Sequence, residues 1–183
     1  ASMGFNFLLK CLTAVAIASI LMVIYVTLRF KKIGGLSAGV TALIALFHDV
    51  IMIYFMYVIF SMPIDYNFIA VVLMILGYSL NDTIVIYDRV REERKALGRK
   101  TDAGMVFNLS ATKSLKRTII TSVTTLSAIL IVYIVALVYN ISSVQAFALP
   151  MIIGIISGCY SSICIAGPLW VLWQRKKKNS KKK

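Results

Sequence analysis

Five apolar stretches follow one another along this chain, and each is long enough to cross a bilayer as a helix. About 20 helical residues span the hydrocarbon core, at a rise of about 1.5 Å per residue. The stretches cover residues 8–28, 36–60, 67–87, 118–139 and 144–173. Lipid offers no hydrogen-bond partners, so the backbone must bond within each segment, and none of the five alternates like a barrel strand. The pattern predicts an all-α membrane protein built as a five-helix transmembrane bundle.

The composition excludes a soluble globular domain. Hydrophobic residues make up 60% of the chain and charged residues only 15%, whereas soluble domains have about one half and one quarter. The first apolar stretch is too long for a signal-peptide core and has no small-residue cleavage pattern. We therefore interpret it as a true membrane span.

The distribution of lysine and arginine predicts the orientation of the bundle. Of the 20 basic residues, three follow the first span, nine lie within 89–117 and seven lie within 175–183. The turns after the second and fourth spans, SMPIDY and NISS, contain none. The positive-inside rule then predicts an N-terminus outside and a cytoplasmic C-terminus. We expect this face to attract anionic lipids and not nucleic acid, because its charges lie at membrane borders and in a short tail.

The same features predict the organisation of the chain. We interpret residues 1–7 as an extracytoplasmic stub or a cloning remnant, 8–173 as the transmembrane domain and 174–183 as a basic cytoplasmic tail. Residues 88–117 are expected to form a cytoplasmic helical loop. In it, the third helix runs on to near Gly98, and Thr101 and Asp102 cap a second helix along the interface that leads into the fourth span.

The third span places polar side chains where lipid disfavours them. Asn81 and Asp82 lie within GYSLNDTIVIYDRVREE, and a carboxylate in a membrane helix costs about 2.5 to 3.5 kcal/mol, so it normally faces protein or a water-filled path. Arg117 opens the fourth span, and its face continues with Thr121, Thr124 and Thr125. We predict an interhelical pair of Asp82 and Arg117, direct or bridged by water, which couples protonation to helix movement. The alternative is a static interhelical contact.

A second polar pair lies near the middle of the second span. His48 and Asp49 are neighbours, so they point about 100° apart on a helix and at most one of them faces Asp82 squarely. His48 can titrate near physiological pH. Asp49 shares its face with three small residues, Ala38, Ala42 and Ala45, which predicts close packing against another helix. We interpret the pair either as secondary sites of a proton path or as polar contacts that orient the helices. The second interpretation is favoured.

The sequence gives little support to an enzyme or a metal site. It has no nucleotide-binding glycine loop and no convincing nucleophile beside a local base. Cys11, Cys159 and Cys164 lie inside predicted spans without metal-ligand spacing, which is typical of small core residues. We predict a protein that is not an enzyme and has no cofactor and no metal centre.

Several motifs, in order, carry a resemblance to one family. GYSLNDTIVIYDRVREE is followed by LKRTIITSVTTLSAIL and then by GCYSSICIAGPL, and LFHDV lies in the second span. Over roughly 8–173 the chain resembles the membrane region of SecF, the accessory subunit of the bacterial Sec protein-export machinery, or the SecF half of fused SecDF proteins. The resemblance implies an RND-type half-bundle. It also maps the aspartate of the NDT motif onto Asp82 and the arginine before TIITS onto Arg117, both implicated in proton-driven function in the family.

The resemblance also implies a function and partners. It implies a bacterial plasma-membrane subunit that couples the proton or sodium gradient to protein export. Its partners would be a SecD half, a SecYEG-type translocon and secreted preproteins, the last through an extracytoplasmic domain that family members carry and this sequence lacks. Two alternatives stay open. The chain could be a structural assembly module of the translocon, in which Asp82 only holds helices together, or an RND exporter of lipids or small molecules.

Overall fold

Helices dominate the computed structural model, which describes residues 2–98 and 101–180, with side chains from residue 9 onward. The helices in this part of the chain are α1 (Ser2–Arg29), α2 (Gly35–Ile59), α3 (Tyr66–Leu97), α4 (Ala103–Val138), α5 (Ser142–Ser161) and α6 (Gly167–Ser180). A 3-10 turn at Lys31–Ile33 joins α1 to α2, and a π-helical segment at Ser162–Ala166 joins α5 to α6. With α5 and α6 taken as one unit, five helices are long and apolar enough to cross a membrane. The predicted five-helix bundle is confirmed.

Local sequence signals set the boundaries of α3 and α4. The Asp65 carboxylate accepts a hydrogen bond from the amide of Asn67 at 2.9 Å and caps the start of α3. The helix ends before Gly98, whose φ of 84° suits a residue without a side chain. Asp102 caps α4 by accepting from the amide of Gly104 at 2.9 Å, as predicted. Thr101 instead bonds to the end of α3, because its hydroxyl donates to the carbonyl of Leu97 at 2.8 Å.

The fourth membrane helix differs from its prediction in one respect. Residues 103–138 form a single α-helix of 36 residues. The expected interfacial helix is therefore not separate; it is the first part of α4. No glycine or proline interrupts the sequence between 105 and 138, so nothing ends the helix at the membrane border.

The interior of the bundle is formed by α2, α3 and the α5–α6 unit. Their most apolar windows are 39%, 44% and 50% buried, against 6% for α1 and for α4, which are peripheral. The predicted small-residue face of α2 lies in this interior, where Ala38, Ala42, Ala45 and Asp49 are all buried. Small side chains let neighbouring helices approach closely, and close packing drives helix association in a membrane.

The π-helical segment ends two residues before Pro168 and is held by α3. Proline has no amide hydrogen, so one backbone hydrogen bond of the helix is missing. The local π geometry accommodates that loss. Tyr87 donates its hydroxyl to the carbonyl of Ala166 at 3.3 Å, and Ser162 donates to the carbonyl of Ser79 at 3.2 Å. The irregular stretch of the fifth span is thus tied by hydrogen bonds to the third.

Ionic side chains gather at one end of the bundle, which we call the basic end. It is defined by the ion pairs Arg29–Asp88 and Arg91–Asp88 at 3.2 Å, Lys113–Glu93 at 2.6 Å and Arg175–Asp102 at 2.7 Å. These pairs join α1, α3, α4 and α6. The gathering agrees with the one-sided charge of the sequence; which side of a membrane it faces stays a prediction.

Candidate functional site

Asp82 is buried in the bundle without a partner of its own. Its side chain belongs to α3, the residue is 2% exposed, and its Oδ2 atom is buried with no hydrogen bond in the described part of the chain. Buried polar groups are nearly always hydrogen-bonded, and a carboxylate is among the costliest to leave unmatched. An orphaned carboxylate oxygen inside a membrane helix therefore makes Asp82 a candidate for a functional residue.

The predicted direct pair of Asp82 with Arg117 is not formed. Arg117 is exposed and makes neither an ion pair nor a hydrogen bond with Asp82, although it lies close enough for its charge to act on the carboxylate. The physical reason is the rotation of α4 about its axis, which turns the long arginine outward while a smaller neighbour faces α3. A contact bridged by water stays a prediction.

The antiparallel register of α3 and α4 places Thr118 of α4 at the level of Asp82. The helices α3 and α4 run antiparallel, and Tyr78 of α3 donates its hydroxyl to Ser122 of α4 at 3.1 Å. One helical turn further towards the basic end, Asp82 comes opposite Thr118. Thr118 is 1% exposed and its hydroxyl also lacks a partner in the described structure. Two buried and unmatched polar side chains are thus brought to the same level of one helix interface.

A stripe of small hydroxyl residues lines α4 on this side. It repeats every four residues and consists of Ser110, Ser114, Thr118 and Ser122, all of them buried. The repeat is readable in the sequence and could have identified the inward face, because small hydroxyl residues favour close helix contacts. Sequence reasoning instead favoured the face of Arg117. That face is half-buried at Thr121 and Thr125 and exposed at Thr124.

Three threonines are predicted to lie beside the ion path. Their hydroxyl groups form hydrogen bonds within their own helix, α4. Thr121 donates to the carbonyl of Arg117 at 2.9 Å, and Thr125 donates to the carbonyl of Thr121 at 2.9 Å. Thr124 donates to the carbonyl of Ile120 at 3.0 Å. Each hydroxyl is satisfied locally, so the structure does not bring these three side chains to Asp82.

Asp49 forms the most completely bonded polar centre of the described bundle. The residue is 0% exposed. Its Oδ1 accepts from the hydroxyl of Ser157, and its Oδ2 accepts from the hydroxyls of Ser79 and Ser161, each at 2.7 Å. Because the donors come from α3 and α5, this one carboxylate of α2 ties the three interior helices together.

The Asp49 centre continues along α3 to the level of Asp82. Thr83 donates to the carbonyl of Ser79 at 3.1 Å, and its hydroxyl lies 2.9 Å from the hydroxyl of Ser162 in the π-helical segment. Asp49 and Asp82 make no contact with each other. The polar network of Asp49 nevertheless fixes the turn of α3 from which Asp82 projects towards α4.

His48 and Asn81 lie towards the outside. The His48 Nδ1 atom is 3.3 Å from the Asp49 Oδ1 atom, and its side chain is 33% exposed. Its ring lies beside that of Tyr160, with centroids 6.2 Å apart. Asn81 is exposed and shares its face of α3 with Gly77, where an added Cβ would meet no atom within 4 Å. The structure does not gather Asn81 with Asp82; it places Asn81 on an open face.

Sequence reasoning missed the serine donors of Asp49. Ser157 and Ser161 lie beside Gly154 and Gly158, whose four-residue spacing is typical of a helix packing face. A Cβ at Gly154 would lie 2.5 Å from the Ile75 side chain, and one at Gly158 would lie 3.1 Å from the Ser79 side chain. The glycines let α5 approach α3, and the serines beside them reach Asp49 as a result.

Comparisons with known proteins agree on one family. The family model described as protein export membrane protein SecD/SecF, C-terminal, matches residues 1–176. The protein translocase subunit SecF of Sebaldella termitidis is 41% identical over 172 residues, which cover 94% of this chain and 53% of that protein. The protein translocase subunit SecDF of Bacillus subtilis is 38% identical over 167 residues, covering 90% of this chain and 22% of that protein.

A solved structure shows the same fold. The crystal structure of SecDF from Thermus thermophilus, a translocon-associated membrane protein, matches with a TM-score of 0.79 at 36% identity, over 90% of this chain and 22% of that one. The chain therefore spans about half the length of the SecF relatives it matches and a smaller share of the fused SecDF proteins.

Proposed function

The chain belongs to the SecD/SecF C-terminal family of protein export membrane proteins, and from that premise we propose that it is the SecF-type membrane half of a translocase subunit that couples an ion gradient to protein export. The gradient is one of protons or of sodium ions, and the membrane is the bacterial plasma membrane. The relatives are named protein translocase subunits. The protein is a multi-pass membrane protein, and its proposed orientation has the basic end in the cytoplasm.

The observation that supports the coupling role is the buried and unmatched carboxylate of Asp82. A group without a local hydrogen-bond donor changes its interactions when it gains or loses a proton, because no fixed partner compensates the charge. Arg117 stays charged at every physiological pH and provides a nearby counter-charge. A charge that crosses 100 mV yields about 2.3 kcal/mol, enough to shift a two-state equilibrium substantially. In this proposal Asp82, with Arg117, lies on the ion path.

The architecture supports a division between a fixed and a mobile part. The Asp49 centre holds α2, α3 and α5 together through three serine hydroxyls. By contrast, α4 is only 6% buried over its spanning window and contacts α3 through small hydroxyl residues. We assign Asp49 the role of a brace, and we assign movement during coupling to the interface of α3 with α4.

The exposed face of α3 supports a second role, in assembly. It combines the small residues Ala70 and Gly77 with the amide of Asn81, all exposed in this chain. Small residues and a polar side chain at the same helix face favour close contact with another membrane helix. We propose that a SecD half packs against this face. A SecYEG-type translocon and secreted preproteins are the further partners in the proposal.

The test is the substitution Asp82→Asn in a complete protein that contains both the SecD and SecF halves. We expect loss of gradient-dependent export and of ion conduction in proteoliposomes, because the amide cannot carry a proton. The matched control is Asp88→Asn, which removes the same charge six residues along α3, where Arg29 and Arg91 pair with it at the basic end. The control is expected to keep export and conduction.

The same variants separate the two roles. If Asp82 served only assembly, Asp82→Asn would lower recovery of the SecD half in a pull-down at least as strongly as it lowers export. Unchanged export and conduction in Asp82→Asn would exclude the coupling role. Gly77→Leu tests the assembly face independently: we expect it to weaken recovery of the SecD half, because its side chain would fill the open space beside Asn81.

A further inference from the structure

A groove with two chemical characters lies between α2 and α6 at the basic end of the bundle. Its volume is about 670 Å³. The part nearer the middle of the membrane is lined by Ile44, Leu169, Leu172 and Trp173, and the part nearer the end of α6 is lined by Lys176 and Lys177. From Leu169 to Lys177 the helix rises by about 12 Å, at about 1.5 Å per residue. The groove therefore passes from apolar to cationic within about one bilayer leaflet.

The two lysines are available to an anion. No acidic side chain lines the groove, and neither lysine pairs with a carboxylate anywhere in the described ranges. Their neighbour Arg175 differs, since Asp102 neutralises it through a contact of 2.7 Å. Unpaired ammonium groups at a membrane border attract anionic phospholipid, and a tryptophan beside them is typical of the headgroup level.

The walls of the groove are fixed relative to each other. Gln174 of α6 donates its side-chain amide to the carbonyl of Ile33 and to the hydroxyl of Ser37, both at 2.8 Å. A Cβ at Gly34 would lie 2.4 Å from that amide nitrogen, so the chain leaves room for Gln174 there. The start of α2 and the middle of α6 are held together by this side chain, and the groove between them is formed within the chain itself.

From the volume, the graded polarity and the unpaired charge, we infer that this groove is a binding site for one anionic phospholipid. An acyl chain lies along Ile44, Leu169 and Leu172, and the phosphate lies between Lys176 and Lys177. The site is distinct from the diffuse attraction of the basic end for anionic lipid, because it requires these two lysines and not others. A zwitterionic phospholipid fits the apolar part equally well but gains less from the cationic part.

Tryptophan fluorescence offers a direct test, because the sequence contains only two tryptophans. Trp173 lines the groove and is 41% exposed, whereas Trp170 is 0% exposed. The chain is placed in phosphatidylcholine bilayers in which a rising fraction of lipid is brominated phosphatidylglycerol or, in parallel, brominated phosphatidylcholine. Bromine quenches a tryptophan that it contacts. A basic residue near the surface favours anionic lipid about fivefold, so two predict a preference of about 25-fold for phosphatidylglycerol.

Three variants decide the outcome. The double variant Lys176→Gln with Lys177→Gln is expected to lose the preference. The matched control, Lys95→Gln with Lys116→Gln, removes the same charge from α3 and α4, outside the groove, and is expected to keep it. Trp173→Phe is expected to lose most of the quenching. The inference would be overturned by equal quenching from the two lipids or by an equal loss of preference in the control pair. It would also be overturned if neither lipid quenched because a second protein segment covers the groove.

Discussion

Removing the hydroxyl of Ser157 tests whether the Asp49 centre braces the bundle. Ser157 donates to Oδ1 at 2.7 Å, and the other neighbour of Oδ1 is the His48 Nδ1 atom at 3.3 Å, whereas Oδ2 has two serine donors at 2.7 Å. Interhelical hydrogen bonds in membrane proteins contribute about 0.6 kcal/mol on average and about 1.7 kcal/mol at most. Leaving a buried polar group without its partner costs about 1 to 3 kcal/mol. Since the Asp49 carboxyl group is fully buried and His48 is the longer contact, we expect Ser157→Ala to lower the free energy of unfolding by about 1.5 to 2 kcal/mol.

The same structure predicts the size of the other serine effect. Ser161→Ala leaves Oδ2 with the hydroxyl of Ser79, so we expect a cost of about 1 kcal/mol. A double-mutant cycle of Ser157→Ala with Asp49→Ala should show a coupling free energy of about 1 kcal/mol or more, because each substitution removes one side of the same hydrogen bond. The assay is reversible unfolding of the chain in mixed micelles, followed by circular dichroism.

The control for this series is Ser127→Ala. The Ser127 hydroxyl is exposed and donates to the carbonyl of Val123 in its own helix at 2.8 Å, so its loss is expected to change the free energy of unfolding by less than about 0.5 kcal/mol. The bracing role of Asp49 would be refuted if Ser157→Ala and Ser127→Ala changed the free energy of unfolding equally. It would also be refuted if the two substitutions of the double-mutant cycle were additive within error.

Two further predictions concern packing and pH. Gly35→Ala places a Cβ atom 2.1 Å from the backbone carbonyl oxygen of Thr27, so we expect a loss of about 1 to 3 kcal/mol in the same unfolding assay. Gly77→Ala, with open space around it, should be neutral or should stabilise the helix by up to about 1 kcal/mol. Asp102 lies outside the spans, and the hydrogen bond from Arg175 lowers its pKa to about 2. A lowered pKa stabilises the fold above the ordinary pKa of the group, so this contribution should disappear as the pH falls from about 4 to about 2. Thermal unfolding of Asp102→Asn should lack that part of the pH dependence; an identical profile in the variant would contradict the assignment.

Much of the architecture was readable from the sequence because it follows from local chemistry. Hydropathy located the five spans, since backbone groups in lipid leave only the helix as a solution. Asp102 and Gly98 marked helix ends, because a short carboxylate and a residue without a side chain suit those positions. The alanine face of α2 identified an interior surface, and all three alanines are buried.

The details of the site depend on how each helix is rotated against its neighbours. The spacing of polar residues that pointed to the face of Arg117 did not determine this rotation. Arg117 and Thr118 are adjacent and point about 100° apart; the structure buries Thr118 and exposes Arg117. Two of the three serine donors to Asp49 come from a helix more than 100 residues further along the chain, and the third, Ser79, is 30 residues away. No local pattern links such distant residues, so the Asp49 centre emerged only from the packing of three helices.

The coupling role that we propose requires Asp82 to gain and lose a proton. Infrared difference spectroscopy of the complete protein in lipid, recorded over the pH range in which export responds to the gradient, observes the carbonyl stretch of a protonated carboxyl group directly. We expect a titrating band that is absent in Asp82→Asn and still present in Ser157→Ala. An identical titrating band in Asp82→Asn, or no titration in a protein that still exports, would contradict it.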